Sequence, residues 1–209
     1  MEHYVITIAR GFGSGGKEIG NNLAKRLGIP CYESQILKMA SDSSGINEAL
    51  FNQADEKLNR YGTIAGYLKK VPFTSVAEPC TKEFTSNVNL FNIQSNIIRH
   101  LAESQSCIVI GKCADYILKD SKSVISVYIE APRRACVESI QNKLGVTEQE
   151  AHKLIEKTDK YRSDYYHYYT HGGSWTNPVN YDLTLNSARV GRDQCVDVIE
   201  AYWKMKFGR

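Results

Sequence analysis

Seven residues near the start of the chain, Gly11-Phe12-Gly13-Ser14-Gly15-Gly16-Lys17, constrain the fold more than any other feature. They follow the apolar run Tyr4-Val5-Ile6-Thr7-Ile8-Ala9 and precede a helix-like segment from Glu18 to Leu27. A strand, a glycine loop and a helix in that order form a phosphate-binding loop. Its glycines let successive N–H groups curl around an anion, the helix N-terminus adds partial positive charge, and the lysine reaches the outer phosphates. The spacing G-x-x-x-x-G-K is complete from Gly11 to Lys17. It nominates Gly11, Gly13, Ser14, Gly15 and Gly16 as the cradle and Lys17 as the cation. The competing reading, a plain glycine turn before a solvated lysine, fits the strand and helix contexts less well.

One position departs from the motif. Glu18 stands where the spacing calls for a Ser or Thr whose hydroxyl holds Mg²⁺. Two readings stand: a helix-start carboxylate facing away from the nucleotide, favoured by the local dipole, or a direct metal ligand. A carboxylate beside a phosphate repels it unless a metal lies between them. Ser14 offers a partial replacement for the missing hydroxyl, or is simply a small loop residue. The metal ligands stay unassigned.

A chain of 209 residues suits one α/β domain with a helical insertion. With 26 Lys+Arg against 23 Asp+Glu the formal charge is +3, and no basic block marks a nucleic-acid polymer or a membrane surface as partner. The first residues run straight into the first strand, and no stretch approaches the roughly 20 apolar residues of a membrane span, so the expected compartment is the cytoplasm. Six cysteines, at 31, 80, 107, 113, 136 and 195, lack any C-x-x-C pair and read as reduced thiols rather than a metal cage or disulfide framework.

Short β-branched runs predict strands at Val5 to Ala9, Ile29 to Tyr32, Cys107 to Ile110, Val124 to Ile129 and Tyr181 to Leu185. The third and fourth are apolar at nearly every residue, as in strands of a parallel sheet buried on both faces. Right-handed crossovers then place helices on both sides, giving a three-layer α/β/α fold with a mainly parallel five-stranded sheet. Between the second and third strands lies a helical insertion, 34–106, too long for one crossover. Within it Ser34 to Ala40, Ile46 to Leu58 and Asn87 to Ser104 read as helices, and Tyr61 to Phe84 as irregular. Thr147-Glu148-Gln149-Glu150 caps a further long helix, and 147–170 reads as a lid-like segment.

Four ordered segments resemble the cytidylate-kinase-like family of P-loop nucleoside-monophosphate kinases. They are Ile8 through Lys17, Gly111-Lys112-Cys113-Ala114-Asp115-Tyr116-Ile117-Leu118, Asp159-Lys160-Tyr161-Arg162-Ser163-Asp164-Tyr165-Tyr166, and Tyr181-Asp182-Leu183-Thr184-Leu185-Asn186-Ser187. The resemblance implies ATP as donor, Mg²⁺ as cofactor, and a small-molecule nucleotide, CMP or dCMP, as acceptor. Catalysis would be positioning and charge neutralisation.

The same resemblance assigns roles to residues beyond the loop. Lys112 stands where the family places an arginine that holds the acceptor phosphate, and Cys113 where it places an aspartate, so charge is kept while the bidentate fork is lost. Asp115, two residues on, is an acceptor-site acid or a helix-start charge. Arg134 fits the family's Arg-Ala step, against a plain surface position. Asp159 and Arg162 match a D-x-x-R lid element whose arginine reaches phosphates, against a surface ion pair. Ile155 stands in place of an upstream lid arginine, with Lys157 and Lys160 as stand-ins. Lys17, Lys112, Arg134 and Arg162 would converge on the phosphates. The run Tyr165 to Tyr169 points its rings in all directions and belongs partly to the core. Asp182 reads as a structural contact. Two alternatives remain open: a kinase of another small acceptor, and a weakly active nucleotide-binding regulator, favoured by Glu18 and by no strand-end acid being evident.

Overall fold

A computed structural model describes residues 3–57 and 83–208. Its sheet has five strands, all parallel, in the order β2-β3-β1-β4-β5. They are β1 (Val5–Arg10), β2 (Cys31–Tyr32), β3 (Cys107–Ile110), β4 (Val124–Glu130) and β5 (Leu183–Asn186). Central β1 pairs Val5 with Cys107 of β3 and with Val124 of β4. The β-branched runs of β1, β3 and β4 are almost wholly buried, as strands covered on both faces must be. The edge strand β5 is half-exposed and starts two residues later than its sequence suggests.

Side-chain alternation divides the core in two. Ile6, Ile8, Ile125, Val127 and Ile129 face α1 (Gly16–Leu27) and the C-terminal α9 (Arg192–Phe207) through Ile19, Leu23, Cys195, Val196 and Ile199. On the opposite face Val5, Cys107, Val109 and Val124 meet α2 (Gln35–Ser44), α4 (Asn87–Ser104) and the short α5 (Ala114–Ile117). The helix α3 (Glu48–Lys57) seats Phe51 between α2 and α4. The first two helices of the insertion follow their sequence signals within a few residues, and α4 spans Asn87 to Ser104 as expected, with the Ser86 hydroxyl accepting the Asn89 N–H. Most of the stretch read as irregular, 61–84, falls outside the described residues.

Beyond β4, α6 (Arg133–Leu144) and α7 (Glu148–Tyr169) form a hairpin with its own apolar seam of Cys136, Val137, Ile140, Ala151 and Ile155. The Thr147 and Glu150 capping box is complete, which fixes where α7 begins. A short α8 (Ser187–Val190) joins β5 to α9. Because all strands are parallel, the segments that follow them emerge at one edge, where ligands of open α/β sheets bind. No helix among the described residues is long and apolar enough to cross a membrane.

Candidate active site

The phosphate loop runs from the end of β1 into α1. Gly13 and Gly15 sit at φ of 92° and 83°, a region that side chains with a Cβ rarely adopt. A Cβ on Gly13 would also lie 2.7 Å from the Cys136 carbonyl of α6. The Ser14 hydroxyl is buried and donates to the Gly11 carbonyl at 2.9 Å, so it braces the loop from inside. From the end of β5 the Ser187 hydroxyl donates to the Ser14 carbonyl at 2.6 Å. The loop is therefore held in shape by strands and hydroxyls, and α1 begins at Gly16 with its first amides at the loop's mouth.

Two cavities open at this edge of the sheet. The loop cavity, about 860 Å³, is lined by the glycine loop, Lys17, Glu18 and Lys25, by Lys143 of α6, and by Arg192. The second, about 330 Å³, is walled by Tyr161, Tyr165, Tyr166 and Trp175, with Lys112 and Asp115 among its polar groups. Arg10, Glu33 and Arg162 line both. At this junction the Glu33 carboxylate accepts from Arg10 at 2.8 Å and pairs with Lys17 at 2.5 Å. Burial works against the Glu33 charge, but Lys17 and Arg10 outweigh it and hold the carboxyl below its ordinary range. Arg162 donates to the Arg10 carbonyl at 2.9 Å. Burial, then the charge of Arg10, lowers the Arg162 guanidinium to about 10, which leaves it charged at neutral pH.

A family model for the cytidylate kinase-like family matches residues 5–189, the span that contains both cavities' strand-end loops and the lid hairpin. The chain belongs to the cytidylate kinase-like family. Its fold is that of P-loop kinases. A crystal structure of an uncharacterized protein from Eubacterium ventriosum superposes with a TM-score of 0.67 at 23% identity, covering 96% of this chain and 98% of that one. Shikimate kinase from Bacteroides thetaiotaomicron superposes with a TM-score of 0.51 at 10% identity over 96% and 98% of the two chains. Among curated proteins none matches.

Within this cytidylate kinase-like chain, Lys17, Lys112, Asp115 and Arg162 come to the cavities, and Asp159 and Arg134 do not line either. Lys112 follows Gly111, and the three residues Gly111, Lys112 and Cys113 all have positive φ, at 72°, 60° and 52°. Two non-glycine residues held there store strain of about 1–3 kcal/mol each, of a kind that clusters at functional sites. A Cβ at Gly111 would also displace the Arg10 guanidinium, which packs directly over this turn. Asp115 is buried and accepts the Tyr166 hydroxyl at 2.8 Å; burial pushes its carboxyl up to about 6 against that hydrogen bond.

The D-x-x-R element is more than a surface pair. Asp159 accepts the Phe12 N–H of the loop at 2.8 Å and the Arg162 guanidinium at 3.5 Å, so α7 is docked on the phosphate loop through both residues. Burial raises the Asp159 carboxyl despite the Phe12 amide and Arg162. Ile155 belongs to the apolar seam, and Lys160 pairs with Asp164 at 2.7 Å, outside both cavities. Arg134 departs from its expected place. Its side chain is 92% exposed and pairs with Glu138 one turn along α6 at 2.9 Å, because the second position of that helix faces outward. Of the tyrosine run, Tyr165, Tyr166 and Tyr169 are buried, with Tyr169 stacked on Phe91. Asp182 accepts the Ser126 N–H at 2.8 Å and ties β5 to β4.

Sequence reasoning passed over three residues at the site. Arg10 and Glu33 directly follow or end strands, so position alone was a signal. Glu33 also corrects the expectation that no strand-end acid is present, and Glu130 at the end of β4, tucked against Gly11, is a second one. Arg192 lies nearly 180 residues beyond the loop it touches, and nothing local marks it.

Proposed function

We propose that the chain is an ATP-dependent nucleoside-monophosphate kinase that transfers the γ-phosphoryl group to CMP or dCMP. The observation that carries this reading is the meeting of two cavities at Arg10, Glu33 and Arg162. A phosphoryl donor in the loop cavity would end where an acceptor in the aromatic cavity begins, and the cations of the transfer stand between. The acceptor side has aromatic walls suited to a flat base, and Lys112 beside them for its phosphate. Asp115, fixed by Tyr166, supplies a buried polar group toward the base.

In this scheme the loop amides and Lys17 hold the donor phosphates, while Arg162 and Arg10 neutralise charge on the transferred group from the acceptor side. The Glu33 carboxylate bridges Lys17 and Arg10 and orients both cations for incoming phosphate. The donor set fits Mg²⁺ brought in on phosphates with its own waters. Among the described residues no three-residue cluster of His, Cys, Asp or Glu forms a cage, the Ser14 hydroxyl donates to the Gly11 carbonyl, and Glu18 and Glu33 are the carboxylates that line the loop cavity. Glu33, once released from Lys17 and Arg10, would help hold such an ion, and the chemistry supplied there would be withdrawal of charge from the phosphates.

A second reading, a kinase of another small acceptor, is favoured by Lys112-Cys113 standing in place of the arginine and aspartate that the resemblance implies. ADP formation from ATP with CMP, dCMP, UMP, AMP, shikimate or no acceptor, run beside Lys17→Ala, tests both. Preference for CMP or dCMP, with a loss of about 10²–10³-fold in the variant, is the expected result. A preference for another acceptor selects the second reading. Turnover equal with and without every acceptor overturns both.

A further inference from the structure

Glu18 is the one residue of the phosphate-loop motif whose chemistry is wrong for the hydroxyl position, and the fold gives it a specific partner. Arg192, first residue of α9, has its guanidinium fixed on three sides. Its Nη1 donates to Glu18 Oε2 at 2.5 Å, and its Nη2 donates to the Ser139 hydroxyl of α6 at 2.8 Å. The third side is the bare Cα of Gly15, where an added Cβ would lie 2.5 Å from Nε and 3.0 Å from Cζ. Three separate segments thus converge on one side chain at the rim of the loop cavity. A guanidinium carries five N–H donors. The two hydrogen bonds to Glu18 and Ser139 use two of them, and the group remains 37% exposed where it lines the cavity.

A lone carboxylate at position 18 would repel a polyphosphate. Paired with Arg192, its charge is cancelled, and a metal seeking Glu18 as a ligand would have to break a charge-assisted hydrogen bond. We propose that Arg192 is a ligand for the donor's phosphates and that Glu18 is its positioning residue rather than a metal ligand. The chain places a bracketed guanidinium where the motif otherwise places a metal-binding hydroxyl. This inference rests on the kinase reading for the identity of the donor, a nucleoside di- or triphosphate.

The test is nucleotide binding to the full-length protein and its Arg192→Ala, Arg192→Lys and Glu18→Gln variants. ADP is titrated by calorimetry in EDTA and in Mg²⁺, and adenosine by ligand-observed NMR. Arg192→Ala is expected to weaken ADP about tenfold in EDTA, the effect of one lost charged hydrogen bond, with adenosine unchanged within about twofold. Arg192→Lys should recover part of the loss, since the charge returns without the fork. Glu18→Gln should leave the ratio of ADP affinities with and without Mg²⁺ as in the parent. Unchanged ADP affinity in Arg192→Ala, or equal losses for ADP and adenosine, overturns the phosphate role. A collapse of the Mg²⁺ ratio in Glu18→Gln overturns the positioning role. Failure of the parent to bind ADP at all would overturn the kinase reading, and the inference with it.

Discussion

The loop cavity is floored by backbone, and the aromatic cavity is walled by side chains. The first owes its shape to seven contiguous residues pinned by Ser14 and Ser187, and its lining is rich in glycine and cations. The second takes its walls from α7, from the strained turn after β3 and from Trp175, with Asp115 buried beside Tyr166. A backbone cradle recognises any phosphate and is insensitive to most side-chain changes around it. A cavity walled by side chains is open to alteration one residue at a time. The division fails at Arg10, Glu33 and Arg162, which line both cavities, and Arg162 reaches furthest between them by bonding the Arg10 carbonyl from α7.

Arg162 therefore gives the largest expected effect. Its guanidinium bonds the Arg10 carbonyl, approaches Asp159 and the Phe12 ring, and lines both cavities. Arg162→Ala should lower kcat/KM by about 10³-fold and raise the KM of both substrates. Arg162→Lys should recover little, since a lysine cannot serve the carbonyl and a phosphate in the same plane. Steady-state kinetics with each substrate varied in turn checks this. If only the acceptor's KM moves, the two cavities are independent and Arg162 belongs to one of them.

The two cavities also differ in how far the sequence disclosed them. The glycine loop of the first cavity was legible because its residues are neighbours in the chain and its glycines have one physical purpose, whereas Arg192 on the same cavity was not. The layers of the sheet were legible for a related reason: apolar runs such as Cys107 to Ile110 admit only a strand buried on both sides. The aromatic cavity was visible only through the family resemblance, which named Lys112, Asp115 and Arg162 but gave no hint that Glu33 would bridge Lys17 and Arg10. Such contacts depend on which strand lies beside which, and the order β2-β3-β1-β4-β5 is a property of the whole chain. Arg134 is the converse case. A dipeptide match placed it near the phosphates, while the rotation of α6, set by its seam with α7, turns it to solvent.

Asp115 tests whether the aromatic cavity is as dry as its walls suggest. Burial raises its carboxyl to about 6 in the folded chain from an ordinary 3.8. The folded state then binds that proton more tightly than the unfolded state, so stability is full below about pH 4 and falls as pH rises through about 6. The full penalty corresponds to about 3 kcal/mol. Asp115→Asn removes the titration and can still accept from the Tyr166 hydroxyl. Its stability relative to the parent should therefore rise between pH 4 and 7 and level off above. Denaturant melts across that range measure the difference directly. A difference flat with pH would mean that water reaches the carboxylate and that the side-chain walls of the aromatic cavity do not desolvate its buried acid.

Arg134 gives the smallest expected effect and the sharpest check on where the site ends. Its only described partner is Glu138 along the same helix face, and an exposed pair of that kind contributes little to stability. Arg134→Ala should change kcat and both KM values by less than about twofold and shift Tm by less than about 1 °C. Arg133, beside it, is held by the His152 carbonyl at 2.7 Å and serves as a matched control for the first turn of α6. If Arg134→Ala instead loses turnover by tenfold or more while Arg133→Ala does not, then α6 must rotate or the α6–α7 hairpin must swing toward the loop during the reaction. The boundary between a backbone-built and a side-chain-built half of the site would then be redrawn by movement of the lid.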